Sequence, residues 1–157
     1  GGVADASVAF GYNGENLLVT MQNGSLWQFS NQPALELGSS GVSAASIAFG
    51  PQGEVIEVVS TDGTLTQYDS SGAHDLGGGV LSTSVAFGPT GEVLAVVFDN
   101  GTALQFSNAG IQSYGGNIDS MGIAFESNGS FFADVITQDG NLTQYDSSGV
   151  HALGKVF

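Results

Sequence analysis

The sequence has no cysteine, no arginine, one lysine (Lys155) and three prolines. Without cysteine there is no disulfide framework and no thiolate to serve as nucleophile or metal ligand, so thiols say nothing about the redox compartment. Fifteen Asp and Glu stand against the single Lys, giving a formal charge of −14 and a pI near 4.1. Such a surface repels phosphate backbones and anionic headgroups, which sets aside nucleic acid and acidic membranes as partners. No apolar run approaches the roughly 20 residues of a membrane helix, and Gly1-Gly2 opens no basic-then-apolar signal segment, so the chain as given is expected to be soluble. A segment with 3.6-residue periodicity and free of glycine is also missing, which argues against helices.

What is present is a repeat. Phe10, Phe49, Phe87 and Phe125 lie 39, 38 and 38 residues apart, in the phrases SVAFG, SIAFG, SVAFG and GIAFE. Glycines keep the same register: Gly14, Gly53, Gly91 and Gly129, then Gly24, Gly63, Gly101 and Gly140, then Gly38, Gly77, Gly115 and Gly154. The fourth copy carries one extra residue between Gly129 and Gly140, expected as a β-bulge or lengthened hairpin near Phe131 to Asp134. The 157 residues thus divide into copies at 1–40, 41–78, 79–116 and 117–157 of a single repeat domain, and 41% hydrophobic content suits a folded chain.

Each copy predicts four strands. In the second, Ser46 to Phe49 turns through Gly50-Pro51-Gln52-Gly53 into the Val- and Ile-rich run Glu54 to Ser60. That run ends at Asp62-Gly63, matched by Asn23-Gly24, Asn100-Gly101 and Asp139-Gly140, pairs that predict type I′ hairpins. Thr64 to Tyr68 alternates as a third strand, and Asp69-Ser70-Ser71-Gly72 turns into a fourth ending at Leu76. A meander of this size cannot bury both faces alone, whereas radial stacking buries them on one another. The small residues Ala9, Ala48, Ala86 and Ala124 suit the crowded axis, leaving the four phenylalanines and the second strands to pack blade on blade.

Over its whole length the chain therefore resembles the β-propeller repeat proteins, without the Gly-His and Trp-Asp signatures of WD repeats or the DxDGxxD loops of integrin-like propellers. The resemblance implies an all-β fold of four four-stranded antiparallel blades. Four such blades turn by right angles to close, so two chains are expected to complete an eight-bladed homodimeric ring. The alternatives are a closed four-bladed monomer or a piece of a longer array, natural or engineered. Copies two and four share TLTQYDSSGAHDLG and NLTQYDSSGVHALG, which suggests duplication of a two-blade unit. Lys155-Val156-Phe157 is left over.

Gln28, Gln67, Gln105 and Gln144 are the only polar residues invariant in all four copies, each followed by an aromatic: Phe29, Tyr68, Phe106 or Tyr145. An amide beside a ring is carbohydrate-pocket chemistry, so Gln28, Trp27, Gln67, Tyr68, Gln105, Gln144 and Tyr145 are the candidate ligand-binding residues. The simpler account is that the amides tie strands together. Trp27 has no counterpart, since Thr66, Leu104 and Thr143 replace it. His74 and His151 repeat, without zinc spacing. Asp62, Asp69, Asp139 and Asp146 are explained by their turns, as are the sequons at Asn23, Asn100, Asn128 and Asn141, and Glu15, Glu54 and Glu92 are expected as a solvated rim.

No Gly-x-Ser-x-Gly elbow exists and no acid-paired histidine breaks the repeat. The expectation is therefore a non-enzymatic scaffold or interaction module, with no catalytic or metal residues and no cofactor, whose partners are further copies of itself or a protein or glycan ligand. The alternative is a repeat lectin. The acidic, cysteine-free composition leans towards an extracytoplasmic, secreted bacterial setting.

Overall fold

The computed structural model describes residues 1–156, so Phe157 of the expected tail lies outside the described residues. Among them there is no helix. Blade 1 is β1 (Val3–Gly11), β2 (Gly14–Met21), β3 (Leu26–Phe29) and β4 (Leu35–Gly38). Blade 2 is β5 (Val42–Gly50), β6 (Gly53–Ser60), β7 (Leu65–Asp69) and β8 (Gly72–Gly77). Blade 3 is β9 (Val80–Gly88), β10 (Gly91–Phe98), β11 (Ala103–Ser107) and β12 (Gly110–Gly115). Blade 4 is β13 (Ile118–Phe125), β14 (Phe131–Thr137), β15 (Asn141–Asp146) and β16 (Gly149–Lys155). Each blade is an antiparallel meander in chain order, and the four stand in a propeller arrangement.

The first strands are innermost: β5 packs on β1, β9 on β5 and β13 on β9. The core lies between blades rather than within them. Leu18 and Leu26 meet Val42, Ile47 and Ile56 in the first seam; Val59 and Leu65 meet Val80, Leu94 and Val96 in the second; Ala95 and Ala103 meet Ile118, Ala133 and Val135 in the third. Burying these faces is the main favourable contribution, at about 25 cal/mol per Å² of apolar surface removed from water.

The recurrent phenylalanines do pack at the seams, with one exception. Each packs against a glycine of the preceding blade: Phe49 on Gly11, Phe87 on Gly50 and Phe125 on Gly88, so close that a Cβ on Gly50 would stand 2.3 Å from the Phe87 ring. Phe10 has no such seat and is 74% exposed, with Val8 beside it at 53%.

Two local expectations are corrected, and of the two alternatives for the extra residue of the fourth copy the lengthened hairpin is found. The Asn-Gly and Asp-Gly hairpins are not type I′, because only the glycine takes positive φ, 78° at Gly24 and 83° at Gly63. Gly24 N–H bonds to Met21 O and Met21 N–H to Ser25 O, a type I turn followed by a glycine bulge. The preceding Asn or Asp stays right-handed because its side chain accepts from the backbone two residues on, as Asp62 does from Thr64 at 3.0 Å. The extra residue of the fourth copy enlarges the β13–β14 loop to Ser127–Gly129, just before Phe131, where the other blades use two residues. The tail is not idle: Val156 N–H donates to Gly140 O at 2.8 Å, the bond by which Val42, Val80 and Ile118 open the next blade from Gly24, Gly63 and Gly101.

Candidate functional site

Strand register brings the invariant glutamines to the seams. Gln28, Gln67, Gln105 and Gln144 sit opposite Leu18, Glu57, Ala95 and Asp134 of their own blades. Gln28 Nε2 donates across the first seam to Glu54 at 2.7 Å, and Gln67 Nε2 across the second to Glu92 at 2.7 Å. The expected solvated rim is thereby corrected: Glu54 and Glu92 are half-buried seam acceptors, and of the three only Glu15 is exposed. Gln144 donates to Asp134 of its own blade at 3.0 Å.

The second seam is the most charged. Gln67 Nε2 also donates to Glu57 at 2.6 Å, so one amide bridges two carboxylates. Glu57 is 0% exposed and its Oε2 has no partner. Burial pushes its carboxyl up to about 7; the Gln67 hydrogen bond opposes the shift and the nearby Glu92 charge adds to it. Beside this group opens a cavity of about 510 Å³ reached by Gln67 and Glu92. The first seam has a smaller one, about 340 Å³, lined by Leu26, Ile56, Val58 and Tyr68.

In the third seam aromatic rings occupy the corresponding place. Phe131 stands at the register position of Glu54 and Glu92, opposite Phe125 as they are opposite Phe49 and Phe87. Tyr114, 8% exposed, donates its hydroxyl to Gln105 Oε1 at 2.6 Å and meets the Tyr145 ring edge-on at 4.9 Å between centroids. Burial pushes its phenol up to about 12, so it remains a donor.

The structure separates each candidate glutamine from the aromatic that follows it. Adjacent strand residues point to opposite faces, so Gln67 borders the second-seam cavity while Tyr68 borders the first-seam one. The rings that share a cavity with Gln67 are Phe98 and Phe106 of the next blade. Trp27 is half-buried and donates to Ser25 Oγ at 3.2 Å.

The histidines lie in the outer turns. His74 Nε2 approaches Ser71 Oγ at 2.8 Å and Asp69 Oδ1 at 3.2 Å, and His151 repeats this with Ser148 and Asp146. A catalytic relay needs the acid on one ring nitrogen and the serine on the other, whereas here both meet Nε2. Ser71 also donates to Asp69 directly, at 2.6 Å. The serine hydroxyls and backbone amides, then the histidines, hold Asp69 and Asp146 down to about 2. These groups close turns.

Sequence reasoning missed Glu57, Tyr114 and Phe131. Leu37, Leu76, Tyr114 and Leu153 each occupy a register break on the outermost strand of their blade, a bulge that re-aims one side chain. The Leu-to-Tyr change at that repeat position was the available signal. The sequence matches no protein-family model and no curated protein.

Proposed function

We propose that the chain is a non-enzymatic propeller scaffold that assembles with a second copy of itself, blade 4 of one chain receiving blade 1 of the other. The observation that carries this is the uncovered leading face of blade 1. Phe49, Phe87 and Phe125 are each covered by a preceding blade, while Phe10 and Val8 are exposed. Among the described residues β13 makes no packing with β1 comparable to that of β9 with β5.

The polar halves of such a junction are available. Gln144 commits one amide hydrogen to Asp134, leaving the other for Glu15 of the incoming chain, as Gln28 takes Glu54 and Gln67 takes Glu92. That the reactive side chains at Ser71, His74 and Asp69 are engaged in closing a turn supports a binding role over a catalytic one. The carbohydrate reading would need Gln67 and Tyr68 in one pocket, and they border different ones.

Sedimentation equilibrium tests this. The expected result is a concentration-dependent mass rising towards twice 15.9 kDa, reduced to the single-chain mass by Phe10→Glu without loss of the β-sheet circular dichroism signal. A single-chain mass for the wild type at every concentration overturns the proposal.

A further inference from the structure

The cavity between blades 2 and 3, about 510 Å³, falls in the size range of small-molecule sites. Its walls include Leu65, Leu94, Val96, Phe98 and Phe106. Both hydrogens of the Gln67 amide are spent, on Glu57 and Glu92. Among the described residues nothing donates to Gln67 Oε1 or to the second oxygen of Glu92. The remaining polar side chains of the lining, Ser107 and Asn108, donate to the backbone carbonyls of Gly110 and Thr90. What the cavity offers is an apolar wall with two unclaimed acceptors, Gln67 Oε1 and a carboxylate oxygen of Glu92. Burying an acceptor without a donor is costly, so the complementary molecule is apolar with a cationic donor at one end.

The third seam shows independently what fits. Tyr114 occupies the bulge position that Leu76 holds on the cavity lining. Its ring lies among Ala103 and Ala133, where the cavity has the larger Leu65 and Leu94. It meets Tyr145 edge-on, where the cavity has Phe106, and donates to Gln105 Oε1, the counterpart of the unclaimed Gln67 Oε1. An aromatic ring with one donor thus fills in blade 3 the place that blade 2 leaves open. The charge differs, because Phe131 replaces Glu92 there.

We infer that the second-seam cavity binds a small arylalkyl ammonium, its ring against Leu94 and Phe106 and its ammonium donating to Gln67 Oε1 and the free oxygen of Glu92. This goes beyond the scaffold reading and does not depend on it, since the seam lies within one chain.

Isothermal titration of the full chain with 2-phenylethylammonium tests it, with 2-phenylethanol, 3-phenylpropionate and glucose as probes of donor, charge and sugar chemistry. The ammonium is expected to bind, with the other three at least tenfold weaker. Glu92→Gln keeps an acceptor for Gln67 and is expected to weaken the ammonium at least tenfold while leaving the alcohol unchanged. Leu76→Tyr, which places in blade 2 the ring that blade 3 already carries, is expected to abolish binding. Should that variant not fold, the Glu92→Gln comparison stands alone. No heat from the ammonium, affinity for the alcohol or glucose equal to or above it, or indifference to Glu92→Gln would overturn the assignment, whatever the mass of the assembly proves to be.

Discussion

Gln67 of blade 2 donates its amide to Glu92 of blade 3 at 2.7 Å, and the same nitrogen holds Glu57 at 2.6 Å. One neutral side chain therefore separates two carboxylates in a seam that is otherwise Val, Leu and Ala. Burial pushes the Glu57 carboxyl from 4.5 up to about 7; the Gln67 amide offsets only part of this, and the neighbouring Glu92 charge adds to it.

The sign of the resulting pH dependence follows from linkage. The folded chain holds a proton on Glu57 that the unfolded chain has released above about pH 4.5, so stability is highest at the acid end of this window and falls as pH rises from about 5 to 7. The loss expected from this group is about 3 kcal/mol. Glu57→Gln should flatten the stability curve between pH 5 and 8 and stabilise the chain at pH 8, read by urea denaturation at several pH values. A wild-type curve that rises across that window would contradict the assignment. Asp69 and Asp146 act oppositely and lower down, their contribution being lost as pH falls from about 4 through 2.

Gly50→Ala is expected to destabilise the chain by about 1–3 kcal/mol, because the new methyl would collide with the Phe87 ring it supports. The midpoint should fall by about 2–4 °C per kcal/mol. Gly78→Ala, where nothing lies within 4 Å of the added carbon, supplies the control and should leave the midpoint unchanged. Equal effects at both sites would show that backbone entropy, not the phenylalanine seat, governs these glycines.

How much of this was legible follows from what each signal measures. The period of Phe10, Phe49, Phe87 and Phe125 and the glycine sets reported blade number and strand order, since turn chemistry and alternation are local. The type I′ expectation failed because Asn-Gly and Asp-Gly suit either turn, and the side-chain bond from Asp62 to the Thr64 amide decides between them. The seam was illegible: Gln67 and Tyr68 are neighbours in sequence, yet the strand turns them to opposite faces, and their true neighbours, Glu92 and the first-seam wall, belong to other strands. The bulge that aims Leu76 and Tyr114 was marked only by the glycine after each, Gly77 and Gly115, which takes positive φ there but reads in sequence as a turn residue.

The fourth blade departs from the repeat where it would receive another copy. Gly11, Gly50 and Gly88 seat a phenylalanine, but Glu126 follows Phe125 at that place, and Gly122 replaces the serine whose hydroxyl, at Ser7 and Ser84, accepts from Ile47 and Ile123 amides at 3.2 Å. Self-association should therefore be weaker than an internal seam. Glu126→Gly removes the carboxylate facing the incoming Phe10 and is expected to tighten the assembly roughly tenfold, about 1.4 kcal/mol, in sedimentation equilibrium. A weaker or unchanged constant would mean that Phe10 does not approach blade 4.

Tyr114 fills the third seam as a ligand would, so removing it should create a site. Tyr114→Leu leaves the space between Ala103, Ala133 and Tyr145 open and the Gln105 oxygen without its donor. The expected cost is about 2–4 kcal/mol from the lost packing and the stranded acceptor. Tyr114→Phe keeps the ring and should cost only the hydrogen bond, about 1–2 kcal/mol. Because Phe131 stands where Glu92 stands in the second seam, the opened space lacks a charge and should prefer a neutral phenol. Millimolar p-cresol is thus expected to raise the midpoint of Tyr114→Leu, by mass action on a site present only in the folded state, while leaving Tyr114→Phe unmoved. If p-cresol moves both variants equally, or 2-phenylethylammonium rescues Tyr114→Leu better than p-cresol does, then residue 131 does not set the charge preference of the seam and the parallel drawn between Tyr114 and a bound ligand fails with it.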